Sequence, residues 1–441
     1  MSDLDFARSQ MAMSLAFHIV FAALGIGMPV LMAAAEWAHL RTGSAVYLDL
    51  CQRWARGTAI LFAVGAVSGT VLSFELGLLW PEFMAKAGAL IGMPFSLEGF
   101  AFFTEAIFLG LYLYGWKLLS PWLHWLCGVL VALSGILSGV FVVTANAWMN
   151  SPAGFTLKEG RITDIDPIAA MWNSASFHEV LHMTLAAFVA TGFVVAAVHA
   201  FFLRRDRSNA FHRHALGIAL AVACSSAPLQ LVSGDISARA TARLQPAKLA
   251  AMEAHYHTGT GAPLIIGGIP DSASQTTAYG LHIPSGLSLL VAHDPGARVV
   301  GLDQFPRADW PNVRIVHWAF DLMVGCGSAL LGLSAWASWL GWKHRRLPDG
   351  KWLLLALVAA GPLGFVAIEA GWVVTEVGRQ PWIIYGVLRT AEAVTPMPGL
   401  VVPFATFTLT YLFLAFIVVH LLLRQFLETR APAPTPEAGH A

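Results

Sequence analysis

The chain has 441 residues, of which 57% are hydrophobic and only 12% are charged. Soluble proteins carry about twice this charged fraction, so the composition disfavours a purely soluble enzyme. Lysine and arginine together number 26, as do aspartate and glutamate, and this balance leaves no basic field to attract a nucleic acid partner.

Nine apolar stretches are each long enough to cross a bilayer as a helix, which takes about 20 residues. They lie at approximately residues 11–38, 57–80, 97–119, 123–148, 177–203, 214–233, 314–341, 352–375 and 400–424. The sequence therefore predicts an all-α, polytopic membrane protein with about nine transmembrane helices. The first stretch is too long for a signal-peptide core and has no basic segment before it, so we count it as a span.

Basic residues fix the predicted orientation, because short basic loops stay in the cytoplasm. They follow spans one, five, seven and nine: Arg41, Arg53, Arg56, Arg204, Arg205, Arg207, Arg213, Lys343, Arg345, Arg346, Lys351, Arg424 and Arg430. Odd-numbered spans then begin outside. We predict an N-terminus in the periplasm and a C-terminus in the cytoplasm.

The predicted spans and the segments outside them divide the chain into four parts. Residues 1–233 hold spans one to six, and 314–430 hold spans seven to nine. Between them, 234–313 form a long extracytoplasmic segment, and loops of this length are usually functional or disordered. Its mixed composition and a helix-like stretch from Gln245 to His255 favour a folded binding loop. The last part, 431–441, is typical of a disordered cytoplasmic tail.

Ionisable residues inside membrane spans are energetically costly and are usually functional. In this chain, the polar residues within the predicted spans lie toward the extracytoplasmic side. They are His18, Glu98, Glu105, His178, His182, Met323, Glu369 and Glu376. Histidine, methionine and carboxylate side chains at one depth can ligate haem iron or relay protons. Taken singly, each histidine also fits a hydrogen-bonded packing residue, and the methionine fits simple core packing.

Two spacings sharpen this hypothesis. His178 and His182 are four residues apart and share one helix face. Glu98 and Glu105 are seven apart, on nearly the same face, and could form a proton path or stabilise a positively charged metal centre. The alternative is a pair of protonated carboxyls bonded to neighbouring spans. The four cysteines contribute no C-x-x-C zinc pair and no C-x-x-C-H site for covalent haem.

A compact run, EVGRQPW, occupies 376–382 after the eighth span. Its glycine and proline suit a bend, its tryptophan suits the membrane interface, and Arg379 could clamp an anionic group such as a haem propionate. From chemistry alone the run also fits an ordinary helix-end turn.

The exact letters of several strings resemble subunit I of the cytochrome bd-type quinol oxidases over nearly the whole chain. The strings are RSQMAMSLAFH at 8–18, LEGF at 97–100 with Glu105, ANAWM at 145–149, QPAKLAAME at 245–253, MVG at 323–325, EAGW at 369–372 and GRQPW at 378–382. This resemblance implies a quinol:oxygen oxidoreductase that reduces O2 to water and builds a proton gradient without pumping.

The resemblance also implies three haems: a low-spin haem b, a high-spin haem b and a haem d, with a further haem b as the alternative to haem d. His182 and Met323 resemble the axial ligands of the low-spin haem. His18 and Glu376 resemble the axial ligands of the other two haems, in an order that the resemblance leaves open. Arg379 resembles the arginine that contacts propionates, and Trp372 a motif tryptophan whose role could be packing.

Further roles follow from the same resemblance. Lys248 and Glu253 match the quinol-oxidising part of the long loop, where an amine and a carboxylate can bind quinol oxygens and accept their protons. Glu98 and Glu105 match acidic residues beside the paired haems. The implied partners are ubiquinol or menaquinol, O2, the bilayer of a bacterial cytoplasmic membrane, a second oxidase subunit and, as an open question, a small single-span subunit.

Two departures from better-known enterobacterial members stand out. Asp321 occupies a position that is arginine there, and an acidic group would favour the oxidised low-spin haem. The loop is also short, as in short-loop or cyanide-insensitive relatives. Two other functions remain as alternatives: a proton-coupled transporter, whose carboxylates and histidines look similar, and a b-type cytochrome membrane anchor.

Overall fold

The computed structural model describes residues 2–428, so the predicted tail at 431–441 lies outside the described residues. The chain is mainly helical. Its α-helices are α1 (Asp3–Thr42), α2 (Ala45–Leu79), α3 (Pro81–Tyr114), α4 (Pro121–Asn150), α5 (Pro167–Met171), α6 (Ser176–Leu203), α7 (Ala210–Leu244), α8 (Pro246–Met252), α9 (Gly286–Ala292), α10 (Val313–His344), α11 (Lys351–Ala360), α12 (Leu363–Arg379), α13 (Thr390–Ala393) and α14 (Val401–Glu428).

Short strands pair into two-stranded antiparallel ribbons in the connections. The strands are β1 (Thr156–Lys158), β2 (Arg161–Thr163), β3 (Gly259–Thr260), β4 (Leu264–Ile266), β5 (Ile269–Asp271), β6 (Thr276–Ala278), β7 (Leu281–Ile283), β8 (Arg298–Val299), β9 (Trp382–Ile384) and β10 (Leu388–Arg389). The pairs are β1 with β2, β3 with β8, β4 with β7, β5 with β6 and β9 with β10.

Within residues 2–428, nine helical segments are long and apolar enough to cross a membrane, which confirms the predicted fold class. Several extend beyond the predicted spans, because polar residues continue a helix after its apolar core ends. The helix of the sixth span, for example, runs on to Leu244 rather than ending at 233. The eighth span is two helices, α11 and α12, separated at Gly361 and Pro362, where proline lacks the backbone N–H that a continuous helix needs.

The long helices form two closed rings of four. In the first ring, α1 and α3 each contact both α2 and α4; in the second, α6 and α10 each contact both α7 and α12. The rings join where α6 packs on α1 and α4, and α14 covers α1 and α2. Residues on α6 and α10 are thus on opposite helices of the second ring.

Small residues allow close helix crossings. A Cβ built at Gly192 of α6 would lie 2.9 Å from the backbone nitrogen of Ala223 on α7, and one built at Gly364 of α12 would lie 2.5 Å from the Cα of Ala190. Backbones that approach this closely leave room only for a hydrogen atom. Such contacts drive helix association in lipid, where burying apolar area gains little.

The segment between α7 and α10 folds over one end of the second ring, which we call the loop end. Helix α8 falls inside the stretch predicted to be helical and contacts α7, α10 and α12. Its Ala250, Ala251 and Met252 are buried in a cluster with Val316 of α10 and Val374 of α12. Three of the four helices of the second ring therefore hold α8 in place.

Candidate functional site

His182 and Met323 lie on opposite helices of the second ring, α6 and α10. The Nδ1 atom of His182 is 3.0 Å from the Ser233 hydroxyl of α7. A Cβ built at Gly371 of α12 would lie 3.1 Å from the Met323 sulfur, so the glycine leaves space for the thioether. The two side chains therefore come from opposite sides of the second ring.

His18 lies on α1 in the first ring, and its Nδ1 atom is 2.9 Å from the Ser68 hydroxyl of α2. Glu376 is near the loop end of α12. It accepts a hydrogen bond of 2.6 Å from the Asn146 side chain of α4 and a second one from Arg379. Glu376 therefore reaches the junction between the two rings.

A buried polar network connects Lys248 to this junction. The Lys248 ammonium donates to Asn150 Oδ1 at 2.8 Å, and the Asn150 amide lies 3.1 Å from a Glu179 carboxylate oxygen and 3.2 Å from Asn146 Oδ1. Since Lys248 is only 5% exposed, burial lowers the pKa of its ammonium group. Asn150 and Glu179 were not predicted from the sequence, although Glu179 lies between His178 and His182 on α6.

Glu253 immediately follows α8, close enough to Asp321 of α10 to be influenced by its charge. It is 1% exposed, and its Oε1 atom has no hydrogen-bond partner in the described part of the chain. Burial, and secondarily the negative charge of Asp321, raises the pKa of Glu253 to about 8. The protonation state of the carboxyl therefore changes slightly above neutral pH, within the range useful for acid–base catalysis.

Asp321 and His317 lie one turn apart on α10 and form hydrogen bonds with the backbone of the loop segment next to Glu253. His317 Nδ1 is 2.7 Å from the Met252 carbonyl oxygen, and its Nε2 is 3.0 Å from that of Gly267. Asp321 Oδ2 lies 3.4 Å from Nε2 and accepts a bond of 2.7 Å from the Gly267 N–H. The charge of Asp321 is thus paired locally.

The substitution His317→Ala is expected to lower the free energy of unfolding by about 2–3 kcal/mol, because the buried carbonyl of Met252 and the half-buried carbonyl of Gly267 lose their hydrogen bonds to the ring. Thermal unfolding followed together with proteolysis of the 253–312 segment would measure it. His282→Ala, an exposed histidine in the same segment, is the control. Equal behaviour of the two variants would contradict the assigned role of His317.

Glu98 and Glu105 both lie on the face of α3 that packs on α4. The Ser138 hydroxyl of α4 donates to Glu98 at 3.3 Å. A Cβ built at Gly135 would lie 3.5 Å from the Glu105 carboxyl carbon and 3.1 Å from the Gly25 carbonyl of α1. Glu105 is therefore about level with Gly25, two helical turns farther from the loop end than His18. The predicted common face is present.

Unpartnered polar atoms are available for an anionic group at the loop end. Arg379 is 2% exposed, yet its Nε and Nη1 atoms have no hydrogen-bond partner among the described residues. His178 is also buried, and within the same residues each of its two ring nitrogens lacks a partner. Unsatisfied buried donors are costly, and haem propionates would supply acceptors. Trp372 packs against a cluster that includes Ile19, the neighbour of His18, and Ile368.

These features fit haem better than a protein-only metal centre. No group of three or more histidine, cysteine, aspartate or glutamate side chains that could hold a metal ion occurs in the described chain. Haem iron needs only one or two axial protein ligands, and His18, His182, Met323 and Glu376 supply that kind of donor.

Comparison with known proteins decides the family. The model of the family described as cytochrome bd terminal oxidase subunit I matches residues 6–430. The chain belongs to this family. It is 37% identical to the putative cytochrome bd menaquinol oxidase subunit I of Bacillus subtilis, over 97% of both chains, and 31% identical to that organism's cytochrome bd ubiquinol oxidase subunit 1, over 96% of this chain and 94% of the relative.

A solved structure gives the same result. The structure of bd oxidase from Geobacillus thermodenitrificans matches with a TM-score of 0.91 and 38% identity, covering 98% of this chain and 99% of that chain. The resemblance inferred from the short strings is thereby confirmed. Cytochrome bd oxidases depend on haem and are multi-span proteins of bacterial respiration, so the chain belongs to a haem-dependent membrane family.

Proposed function

We propose that this chain is the haem-bearing subunit of a terminal oxidase that oxidises membrane quinol and reduces O2 to water. Its membership of the family, whose relatives are quinol oxidases, favours this function over a transporter or an electron-transfer anchor. One observation carries the proposal: α8, which bears Lys248, caps the ring in which His182 and Met323 lie on opposite helices.

Lys248 and Glu253 would handle quinol at the loop end. The ammonium of Lys248 can hold a quinol oxygen, and the Glu253 carboxylate can accept the proton of a quinol hydroxyl as electrons leave. The His317 contact to the Met252 carbonyl holds the backbone next to Glu253. A proton taken by Glu253 would then be released on the side of the membrane that the loop faces, which we assign to the periplasm.

Bound haem would supply the one-electron steps and the iron at which O2 is reduced. His182 and Met323 would hold a low-spin haem b. His18 and Glu376 would hold the high-spin haem b and a haem d, with a further haem b as the alternative to haem d. Arg379 would neutralise a propionate, and Trp372 would pack beside the group.

Glu98 and Glu105 would hold the protons used in oxygen reduction. Both carboxyls line the contact between α3 and α4, with Glu105 nearer the end away from the loop. With the loop in the periplasm, this end faces the cytoplasm. Protons taken from the cytoplasm and quinol protons released outside would separate charge without a pump.

The remaining partners are proposed from the family. A second membrane subunit would pack against the lipid-facing helices, with a small single-span subunit as a further component. The quinol would be ubiquinol or menaquinol, since the two Bacillus subtilis relatives are named for one or the other.

The reduced minus oxidised absorption spectrum of the purified complex tests this proposal, together with haem extraction and quinol-driven oxygen uptake. We expect haem b bands, and a far-red chlorin band if haem d is present. Haem without quinol-driven oxygen uptake would instead favour the electron-transfer anchor. A folded complex without haem would overturn the proposal.

The substitution Glu105→Gln is expected to slow proton delivery to oxygen reduction by about 100-fold, because a carboxamide does not relay protons. Oxygen consumption and proton uptake by the pre-reduced enzyme would show it. Glu82→Gln, an exposed position on the same helix, is the control. Normal proton uptake in Glu105→Gln would remove this residue from the path.

A further inference from the structure

Each of the two histidines proposed as haem ligands faces a serine followed by a glycine on a neighbouring helix. His18 of α1 faces Ser68 and Gly69 of α2, and His182 of α6 faces Ser233 and Gly234 of α7. We call Ser68-Gly69 and Ser233-Gly234 the two serine–glycine pairs. They lie on different helices in different rings, so the same arrangement has formed twice.

Both serine hydroxyls donate to their own helices. Ser68 Oγ is 2.9 Å from the Val64 carbonyl oxygen, and Ser233 Oγ is 2.9 Å from the Gln230 carbonyl oxygen. A hydroxyl has a single proton, so each serine can only accept from its histidine. The proton of the neutral ring is then on Nδ1, and the Nε2 atom carries a free lone pair.

Ser233 alone sets the tautomer at His182, because the amide nitrogen of Gln230 is within reach of both ring nitrogens, 3.1 Å from Nε2 and 3.4 Å from Nδ1.

Glycine is needed for space at the first pair but not at the second. A Cβ built at Gly69 would lie 3.0 Å from Cε1 of His18, closer than almost all real contacts, whereas one built at Gly234 would be in ordinary van der Waals contact, 3.7 Å from Cε1 of His182. Cε1 is the ring carbon between the two nitrogens. A bulkier side chain at Gly69 would push the ring away from its serine and turn Nε2.

We propose that the two serine–glycine pairs are positioning devices that fix the tautomer and the ring plane of His18 and His182, so that each presents Nε2 to haem iron. This inference rests on the ligand roles given under the proposed function. Ligand histidines typically donate their other ring N–H to a partner, and loss of that partner weakens metal binding about 10- to 100-fold.

Ser233→Ala and Ser68→Ala in the full oxidase complex test the proposal. Haem loss to excess apomyoglobin and the electron paramagnetic resonance spectrum are measured, because neither depends on turnover. We expect Ser233→Ala to speed loss of the low-spin haem about 10- to 100-fold and to shift its g values, leaving the other haems unchanged. Ser68→Ala should affect only the haem held by His18.

The chain offers matched controls. Ser225 of α7 and Ser73 of α2 are exposed serines whose hydroxyls also donate to their own helices, so Ser225→Ala and Ser73→Ala remove the same atom without a histidine opposite. Ser233→Thr and Ser68→Thr keep the hydroxyl and should restore haem retention. A general folding defect would affect every haem and would not be rescued by threonine.

The outcomes separate the two levels of inference. If Ser233→Ala and Ser68→Ala match their controls while His182→Ala loses the low-spin haem, the positioning role is overturned and the proposed function stands. If His182→Ala keeps the low-spin haem, the ligand assignment itself fails. Selective haem loss in each alanine variant, restored by threonine, supports both.

Discussion

The variant His182→Ala is expected to lose the low-spin haem signal, and with it electron transfer from quinol. His182 and Met323 are on opposite helices of one ring, so an alanine removes one of the two proposed axial ligands. Optical and electron paramagnetic resonance spectra of the purified complex would show one haem fewer. Quinol-driven oxygen uptake should fall to background.

Controls for this result come from neighbouring positions. His199→Ala removes another buried histidine of α6, one that bonds to His212 at 2.9 Å, and should keep all haems. Met323→Leu should lose the low-spin signal, whereas Met183→Leu, which alters an apolar cluster between α6 and α1, should not. Full haem content and turnover in both His182→Ala and Met323→Leu would refute the assignment.

The second large effect is expected at the quinol-handling residues. Lys248→Met and Glu253→Gln should each slow quinol oxidation about 100-fold, because each removes a group that binds or deprotonates the quinol hydroxyl. Haem spectra should not change. Stopped-flow reduction of the haems by quinol measures the step directly, with Lys158→Met and Glu159→Gln in the exposed β1–β2 hairpin as controls.

The pH dependence of this step provides a separate measurement. Because the pKa of Glu253 is raised to about 8, the side chain is mostly protonated at neutral pH and can act as a base only after it ionises. Quinol oxidation should therefore rise with pH up to about 8 and then level off. The rise should disappear in Glu253→Gln. The ionisable side chains nearest to Glu253 are Asp321 and His317 on α10 and Lys248 on α8.

Two results would contradict this role for the loop. A Glu253→Gln variant with an unchanged pH profile would assign the rise to another group. A Lys248→Met variant that loses haem would show that Lys248 mainly supports the network through Asn150 to Glu179. Either outcome would leave the ligand assignment of His182 and Met323 intact.

The sequence by itself determined the membrane fold and the family. Hydropathy alone predicts nine spans, because each helix must satisfy its backbone polar groups internally and so leaves a long apolar stretch in the sequence. Counting residues along the predicted spans did not place Glu105, which lies two helical turns farther from the loop end than His18. Short strings such as GRQPW then identified the family without any knowledge of contacts.

Only the tertiary structure decided which side chains meet. The contacts of Glu376 with Asn146, of Lys248 with Asn150 and of Asp321 with the Gly267 N–H join elements far apart in sequence, and no local period encodes them. The serine–glycine pairs were missed for the same reason, since serine and glycine are common in membrane helices. A serine–glycine pair can position a histidine only where helix packing brings the two together, because a hydrogen bond depends on distances that the packing fixes.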